Sequence, residues 1–463
     1  MSRKFIVTPA YDAEVEVGPE GVRNQLYVGR LGERGPLRIV HFNAGREFVL
    51  LVLGKRGSGK SYTLGTLLEG FCTKENKSSL SNLTTRPGLL LLDPMMNFWP
   101  SILPVTNDGQ EKVRAQFRLL DGWNCKPEDS NITVWLPRGY RREFDYPNIN
   151  EFSVRTCDLD PQDWADVTGV NLVRDPQGML LGEALEMVTT RGWSDSDGRT
   201  YRPNPAFELR DLILCIERGR SPYHRDEVVR ALTRTLESWD RHSIFQSAGT
   251  PMPDLVKPGS LSILMLPQRI GHDLRRVITR VLIRRLLKER EAASQIRQRL
   301  DVQKLEEKER KSLQEKLASL VPKTILALDE AQELLGEEGG EAKEALEDFC
   351  LLGRNYGLSL ILATQRPTAA AISSKVRAQV DTYFIHRLLT QEDIETTERN
   401  LISLLPDEVR LGNHSLDYGK VLRSLETGQC LVTSDRIHSK EGRPRSFILD
   451  VRPRTRVHGG EVS

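Results

Sequence analysis

Gly54-Lys55-Arg56-Gly57-Ser58-Gly59-Lys60-Ser61 is a complete G-x-x-x-x-G-K-[ST] loop. It is preceded by the apolar run Glu47-Phe-Val-Leu-Leu-Val-Leu-Gly54, which reads as a buried strand, and followed by Tyr62-Thr-Leu-Gly-Thr-Leu-Leu-Glu-Gly-Phe71, which reads as a helix with an apolar face. Strand, loop and helix in that order form a phosphate cradle. The glycines let successive backbone N–H groups curl around an anion, and the helix N-terminus adds a partial positive charge. The motif predicts nucleotide binding through Gly54, Arg56, Gly57, Ser58, Gly59, Lys60, Ser61 and Tyr62, with Lys60 on the terminal phosphates and Ser61 as a Mg²⁺ ligand.

A nucleotide-hydrolysing enzyme of this kind also needs a carboxylate for the metal and one for water, and Thr324-Ile-Leu-Ala-Leu-Asp329-Glu330 supplies both at the tip of an apolar strand. Asp329 is expected at the metal and Glu330 at the attacking water. Asp93, ending Gly88-Leu-Leu-Leu-Leu-Asp93, is a rival for the metal but is followed by Pro94 rather than a second acid. A further apolar run, Leu358-Ser-Leu-Ile-Leu-Ala-Thr364, ends in Gln365, so its amide is expected beside the other strand tips as a sensor of the terminal phosphate or of water. Arg354 lies at the turn entering this strand and is a candidate arginine finger for a neighbouring subunit.

The chain has 463 residues, net charge +2 and 28% charged residues. Two or three packed units are therefore expected, and any nucleic acid has to be met by local basic patches or an assembled pore rather than by a globally basic surface. Cys72, Cys125, Cys157, Cys215, Cys350 and Cys430 show no metal-binding spacing. No cleavable signal or long apolar span is visible, which predicts a cytoplasmic protein with no membrane segment. The class is α/β. The expected organisation is a small β-rich N-terminal element at 1–45, the first part of the ATPase core at 46–149 and a mainly helical insertion at 150–258, which carries Trp164, Trp193 and Trp239. The second part of the core at 259–436 and a C-terminal strand and tail at 437–463 complete it. Leu274, Val277, Ile278, Val281, Leu282 and Leu286 repeat at helical spacing and run into a charged segment to Lys316. Arg275, Arg276, Arg280, Arg284, Arg285 and Arg290 on this helix are expected to form a solvated face, with contact to DNA or a neighbouring subunit as the alternative.

Taken in order, the Gly-Ser-Gly-Lys-Ser loop, the strand ending in Asp93-Pro, the Asp329-Glu330-Ala pair, and Gly-Arg354-Asn-Tyr-Gly leading into Ala-Thr-Gln365-Arg-Pro resemble the HerA branch of the HerA/FtsK family of DNA-pumping ATPases. Leu425-Glu-Thr-Gly-Gln-Cys-Leu-Val432, Val451-Arg-Pro-Arg and His458-Gly-Gly are similar too, so the resemblance spans residues 46 to 459. It implies a RecA-like P-loop core, a homo-oligomeric ring of six subunits, ATP and Mg²⁺ at the subunit interface, and double-stranded DNA in the pore. It also implies a trans role for Arg354, an interface role for Arg46, and a separate nuclease or defence effector as partner. The N-terminal β region is short for the barrel of HerA proteins, and Lys55-Arg56 stand where Thr is more usual. The same motifs fit a second reading, a ring scaffold whose ATP binding organises an effector. A membrane-tethered conjugative coupling protein would require N-terminal transmembrane helices.

Overall fold

The computed structural model describes residues 6–7, 15–19, 21, 23–32, 38–123, 125–141, 144, 148–219, 224–335, 340–366, 372–401, 409–411, 414–438 and 446–460. Residues 336–339 of the Gly/Glu-rich loop and Pro367 lie outside them. The chain forms two compact units, one of residues 1–134, 256–267 and 283–463 and the other of residues 135–255 and 268–282.

In the larger unit the elements that place the site are, in chain order, β1 (Asn24–Leu31), β2 (Ile39–Asn43), β3 (Val49–Leu53), α1 (Lys60–Phe71), β4 (Gly88–Asp93), β5 (Leu261–Met265), α2 (His272–Val302, continuing from the smaller unit), β6 (Thr324–Leu328), α3 (Ala331–Leu335), α4 (Glu341–Tyr356), β7 (Leu358–Thr364), β8 (Thr382–Ile385), β9 (Gln429–Ser434) and β10 (Ser446–Val451). They build one mixed sheet in the order β2-β1-β10-β9-β8-β3-β7-β6-β4-β5. From β8 to β5 all neighbours run parallel, whereas β8/β9, β9/β10, β10/β1 and β1/β2 are antiparallel. Every residue of β3, β4, β6 and β7 is buried, as expected for parallel strands covered on both faces, and their sequences are predominantly apolar, with Asp93, Thr324, Ser359 and Thr364 the exceptions. β1 and β2, from the N-terminal region, extend this sheet, with β1 pairing β10. No described helix is long and apolar enough to cross a membrane.

The smaller unit is built from helices Pro161–Thr168, Pro176–Glu186, Leu209–Arg218 and Asp226–His242 with the first part of α2. Trp164 is fully buried at its centre, with its ring centroid 5.2 Å from that of Phe245. Asp160 and Asp163 form a reciprocal capping box that starts the first helix.

The apolar positions of α2 are buried as their spacing predicts, from Leu274 to Leu286. The expectation of a solvated arginine face along α2 is corrected at three positions: Arg275, Arg280 and Arg290 are 0, 3 and 4% exposed. Arg280 is ion-paired with the buried Asp163. Arg290 donates to the carbonyls of Tyr356 (2.7 Å) and Val321 (2.9 Å), and burial holds its pKa down at about 10. Long basic side chains bury their stems readily once an acceptor meets the head group, and neither Asp163 nor the carbonyls are visible in the helix's own periodicity.

Candidate active site

The strand order decides which side chains meet. β3 feeds the glycine loop, β7 lies beside it with Thr364 opposite Leu53, and β6 lies beside β7, so the C-terminal tips of three strands converge on the N-terminus of α1. The loop ends with Gly59 at φ 103°, a left-handed conformation that a side chain would strain. At Gly54 a Cβ would lie 2.5 Å from Ser58 Oγ and 2.7 Å from His386 Cβ, so the turn closes only around a hydrogen. A Cβ at Gly57 would meet nothing within 4 Å, but its φ of 77° is again left-handed.

Around this cradle Lys60 Nζ lies 2.7 Å from Glu330 Oε1, both groups being buried. Gln365 Nε2 donates to the same Oε1 at 2.7 Å, and Gln332 Nε2 donates to Oε2 at 2.7 Å. Gln332 is in turn held by Thr364, whose hydroxyl donates to its Oε1 at 2.7 Å. Glu330 sits at φ 45°, unusual for a residue with a side chain, where β6 turns into α3. Strain of this kind survives only where surrounding contacts hold it, and the three hydrogen-bonded partners of the carboxylate do so here. Ser61 Oγ is 3.2 Å from both carboxylate oxygens of Asp329. Asp329 is completely buried, and burial, reinforced by the nearby Asp93 and Glu330 charges, pushes its pKa up to about 7 against the opposing pull of Lys60. Asp93 is also raised by burial, to about 6, but its carboxylate accepts the backbone N–H groups of Met95 (3.2 Å) and Phe98 (2.8 Å), so it closes the turn after β4.

No protein-family model and no curated protein sequence matches the chain. Among solved structures it is similar to VirB4 of Thermoanaerobacter pseudethanolicus, with 14% identity over 94% of this chain and 98% of that one, at a TM-score of 0.52. The chain carries a RecA-like P-loop core. The plasmid coupling protein TrwB in complex with ADP and Mg²⁺ also aligns, at 13% identity over 88% of this chain and 86% of that one, with a TM-score of 0.46.

Within this P-loop core the remaining candidate residues fall into two groups. Arg56 is exposed on the loop. Tyr62 is on α1 beside Ser61, but its side chain turns away from the loop: its hydroxyl accepts the Arg454 N–H at 2.8 Å and its ring meets His458 edge-on at 5.2 Å. Arg354 and Arg46 are not brought to this chain's own loop. Arg354 Nη2 pairs with Asp381 Oδ1 at 2.9 Å and donates to the Gln379 carbonyl at 3.0 Å. Asp381 also accepts the Val49 N–H at 2.9 Å and pairs with Arg436 at 3.1 Å. Val49 opens β3, so Arg354 lies at the opposite end of a five-residue strand from the phosphate loop, roughly 16 Å away at the usual rise per residue. Arg46 is exposed just before the same strand start.

Two residues the sequence did not single out border the loop from the β8 side. Arg387 follows β8, its carbonyl accepts the Lys55 N–H at 3.2 Å, and its side-chain Nε is buried without a partner. His386 is completely buried between the loop and β9. Its Nδ1 faces the Gln429 carbonyl at 2.9 Å, an acceptor only, so Nδ1 carries the proton and Nε2 accepts from the Thr63 hydroxyl at 2.9 Å. This ties α1 to β9. Burial lowers the His386 pKa to about 4, with the Lys60 charge acting in the same direction. The folded chain therefore takes up fewer protons at this site than the unfolded chain between pH ~6.5 and ~4, so stability present above pH ~6.5 is lost as the pH falls through that window. Denaturant titrations should show the wild type losing about 3 kcal/mol more than His386→Gln between pH 7 and 4; parallel pH profiles would refute a neutral buried imidazole.

Proposed function

We propose that this protein is an Mg²⁺-dependent ATPase of HerA type that assembles as a ring, hexameric by resemblance, and moves on double-stranded DNA in company with a separate nuclease or other effector. The observation that carries the reading is the convergence of Lys60 and Gln365 on one carboxylate oxygen of Glu330 beside the Ser61–Asp329 pair. Structural similarity supports the fold of this reading, and the chemistry follows from the cluster itself.

Lys60 and Glu330 are each other's counter-ions. A phosphate seated in the loop competes for the Lys60 ammonium, and as Lys60 turns to it the Glu330 carboxylate is left to accept a proton from water. Gln365 and Gln332 hold that carboxylate in position, and Gln365, at the tip of the strand between Lys60 and Glu330, is placed to exchange its hydrogen bond for one to water or the terminal phosphate. Ser61 Oγ and the Asp329 carboxylate are hard oxygen donors of the type that holds Mg²⁺ beside phosphates. The bound ion supplies charge neutralisation at the transferring phosphoryl group. Arg354, paired with Asp381 at the far strand ends, acts on the nucleotide of a neighbouring subunit by sharing or leaving that partner.

Steady-state phosphate release measured with and without duplex DNA tests the motor directly. Stimulation of about tenfold or more is expected, and an unchanged rate would favour a ring scaffold. Arg354→Ala should abolish hydrolysis in homogeneous rings but regain it when mixed with Lys60→Ala subunits, since each variant supplies what the other lacks. Mixed rings as inactive as either parent would remove Arg354 from the trans site.

A further inference from the structure

A cavity of about 280 Å³ opens at the N-terminal ends of the parallel strands. Phe48, which precedes β3, Thr324 of β6 and Ser359 of β7 line it, so it lies at the opposite end of the sheet from the phosphate loop. Its charged lining is one-sided: Arg46, Arg86, Arg297 and Lys323 face a single carboxylate, Glu47. Lys323 takes that carboxylate at 2.6 Å. Arg86 donates to the carbonyls of Thr73 and Lys74, and its Nε is buried without a partner. Arg46 and Arg297 are exposed, and among the described residues neither has an ion-pair or hydrogen-bond partner. Behind the wall at Gly357 stands the buried Arg290, whose Nη2 is 3.0 Å from where a Gly357 Cβ would lie.

Like charges gathered in a concave, partly apolar recess repel one another and focus a positive potential outward. Among the described residues the head groups of Arg46 and Arg297 make no hydrogen bond or ion pair, and Glu47 is already taken by Lys323, so the positive charge of the recess is not balanced from within. A multivalent oxyanion relieves the repulsion, and the guanidinium groups match phosphate oxygens with paired N–H donors. The volume falls just below the range for small-molecule sites, about 300 Å³ upward, which suits a phosphate group and part of the body it esterifies.

We propose that this cavity is a second anion site, separate from the phosphate loop, that binds phosphate groups through Arg46 and Arg297, with Arg86, held by the Thr73 and Lys74 carbonyls, adding charge to its wall. The same chemistry is offered by a free nucleotide and by a nucleic-acid backbone. Arg297, which has no role at the nucleotide interface, distinguishes this site from the interface role that the resemblance gives Arg46.

The test uses full-length protein carrying Lys60→Ala and no added Mg²⁺, so that the phosphate loop contributes little. Binding of ADP by calorimetry and of a fluorescent duplex by anisotropy is compared before and after adding Arg46→Ala and Arg297→Ala. The two arginines should be worth at least tenfold in affinity for one of the probes. Loss of ADP binding assigns a free nucleotide, and loss of duplex binding, with a salt slope shallower by about 2, assigns a backbone. Affinities unchanged for both probes, or no binding of either by the Lys60→Ala protein, would overturn the proposal. Arg297→Glu alone, on an exposed helical position, gives a second measurement and must weaken the same probe further than Arg297→Ala does.

Discussion

Glu330→Gln should bind ATP at least as tightly as the wild type while its hydrolysis rate falls by about 10³-fold, within the range attributed to a positioned general base. The structure gives both halves of this expectation. The carboxylate is the buried counter-ion of Lys60, at 2.7 Å, and neutralising it frees the ammonium for phosphate rather than weakening the cradle. Gln332, which donates to Oε2, and Gln365, which donates to Oε1, hold the side chain in place. An amide of the same shape can keep one of these contacts, so the left-handed turn at residue 330 is retained and the lesion is confined to proton acceptance. Phosphate release under saturating ATP, paired with equilibrium binding of a fluorescent ATP analogue, separates the two effects. Normal turnover would remove Glu330 from the chemistry, whereas lost binding would mean that the substitution had damaged the loop.

Glu69→Ala should be the most destabilising single change away from the site, costing about 3–5 kcal/mol, as expected when a buried ion pair loses one partner. Glu69 is on α1 and 1% exposed. Its Oε1 accepts from Arg454 Nε at 2.8 Å, and its Oε2 accepts the Thr455 N–H at 3.0 Å and lies 3.6 Å from Arg452 Nη1. Arg452 and Arg454 are both fully buried, and this carboxylate is the acid that both approach. Without it two guanidinium groups remain in the interior with only neutral partners: the Tyr27 and Thr66 carbonyls for one, Ser101 and His458 for the other. Glu69→Gln keeps the acceptor oxygen and should lose less. Chemical denaturation of the two variants orders them, and equal midpoints for Glu69→Ala and wild type would show that the C-terminal segment is not anchored through this charge. Because Arg454 also donates its N–H to Tyr62, next to Ser61, a loosened segment is expected to lower nucleotide affinity as well.

How much of the site could be read from the sequence depends on how local each signal is. The glycine loop, the acidic pair and the glutamine at a strand tip are contiguous patterns, and each announces both a conformation and a chemistry. His386 carries no such pattern: it is one histidine after a four-residue strand, and its role exists only because Thr63 and the Gln429 carbonyl close on it from positions 323 and 43 residues away. Asp381, the partner of Arg354, is equally silent, since a lone aspartate before a strand most often marks a turn. The arginines of α2 misled for a related reason. Helical periodicity separates an apolar face from a charged one, but it cannot show that Asp163 or the Tyr356 carbonyl lies within reach of the charged positions.

The amino-acid sequence by itself determined the phosphate cradle, the parallel strands around it and the residue types able to handle Mg²⁺ and water, because backbone freedom at glycine, unbroken apolar runs and side-chain chemistry are properties of short segments. Tertiary structure alone decided which of those groups share an oxygen and which stand apart. Lys60 and Glu330 are 270 residues apart and become counter-ions only because β7 lies between β3 and β6. Arg354 and Arg46 directly precede β7 and β3 and so stand at the strand starts, a strand length from their own loop, where only the fold supplies Asp381 as the partner of Arg354.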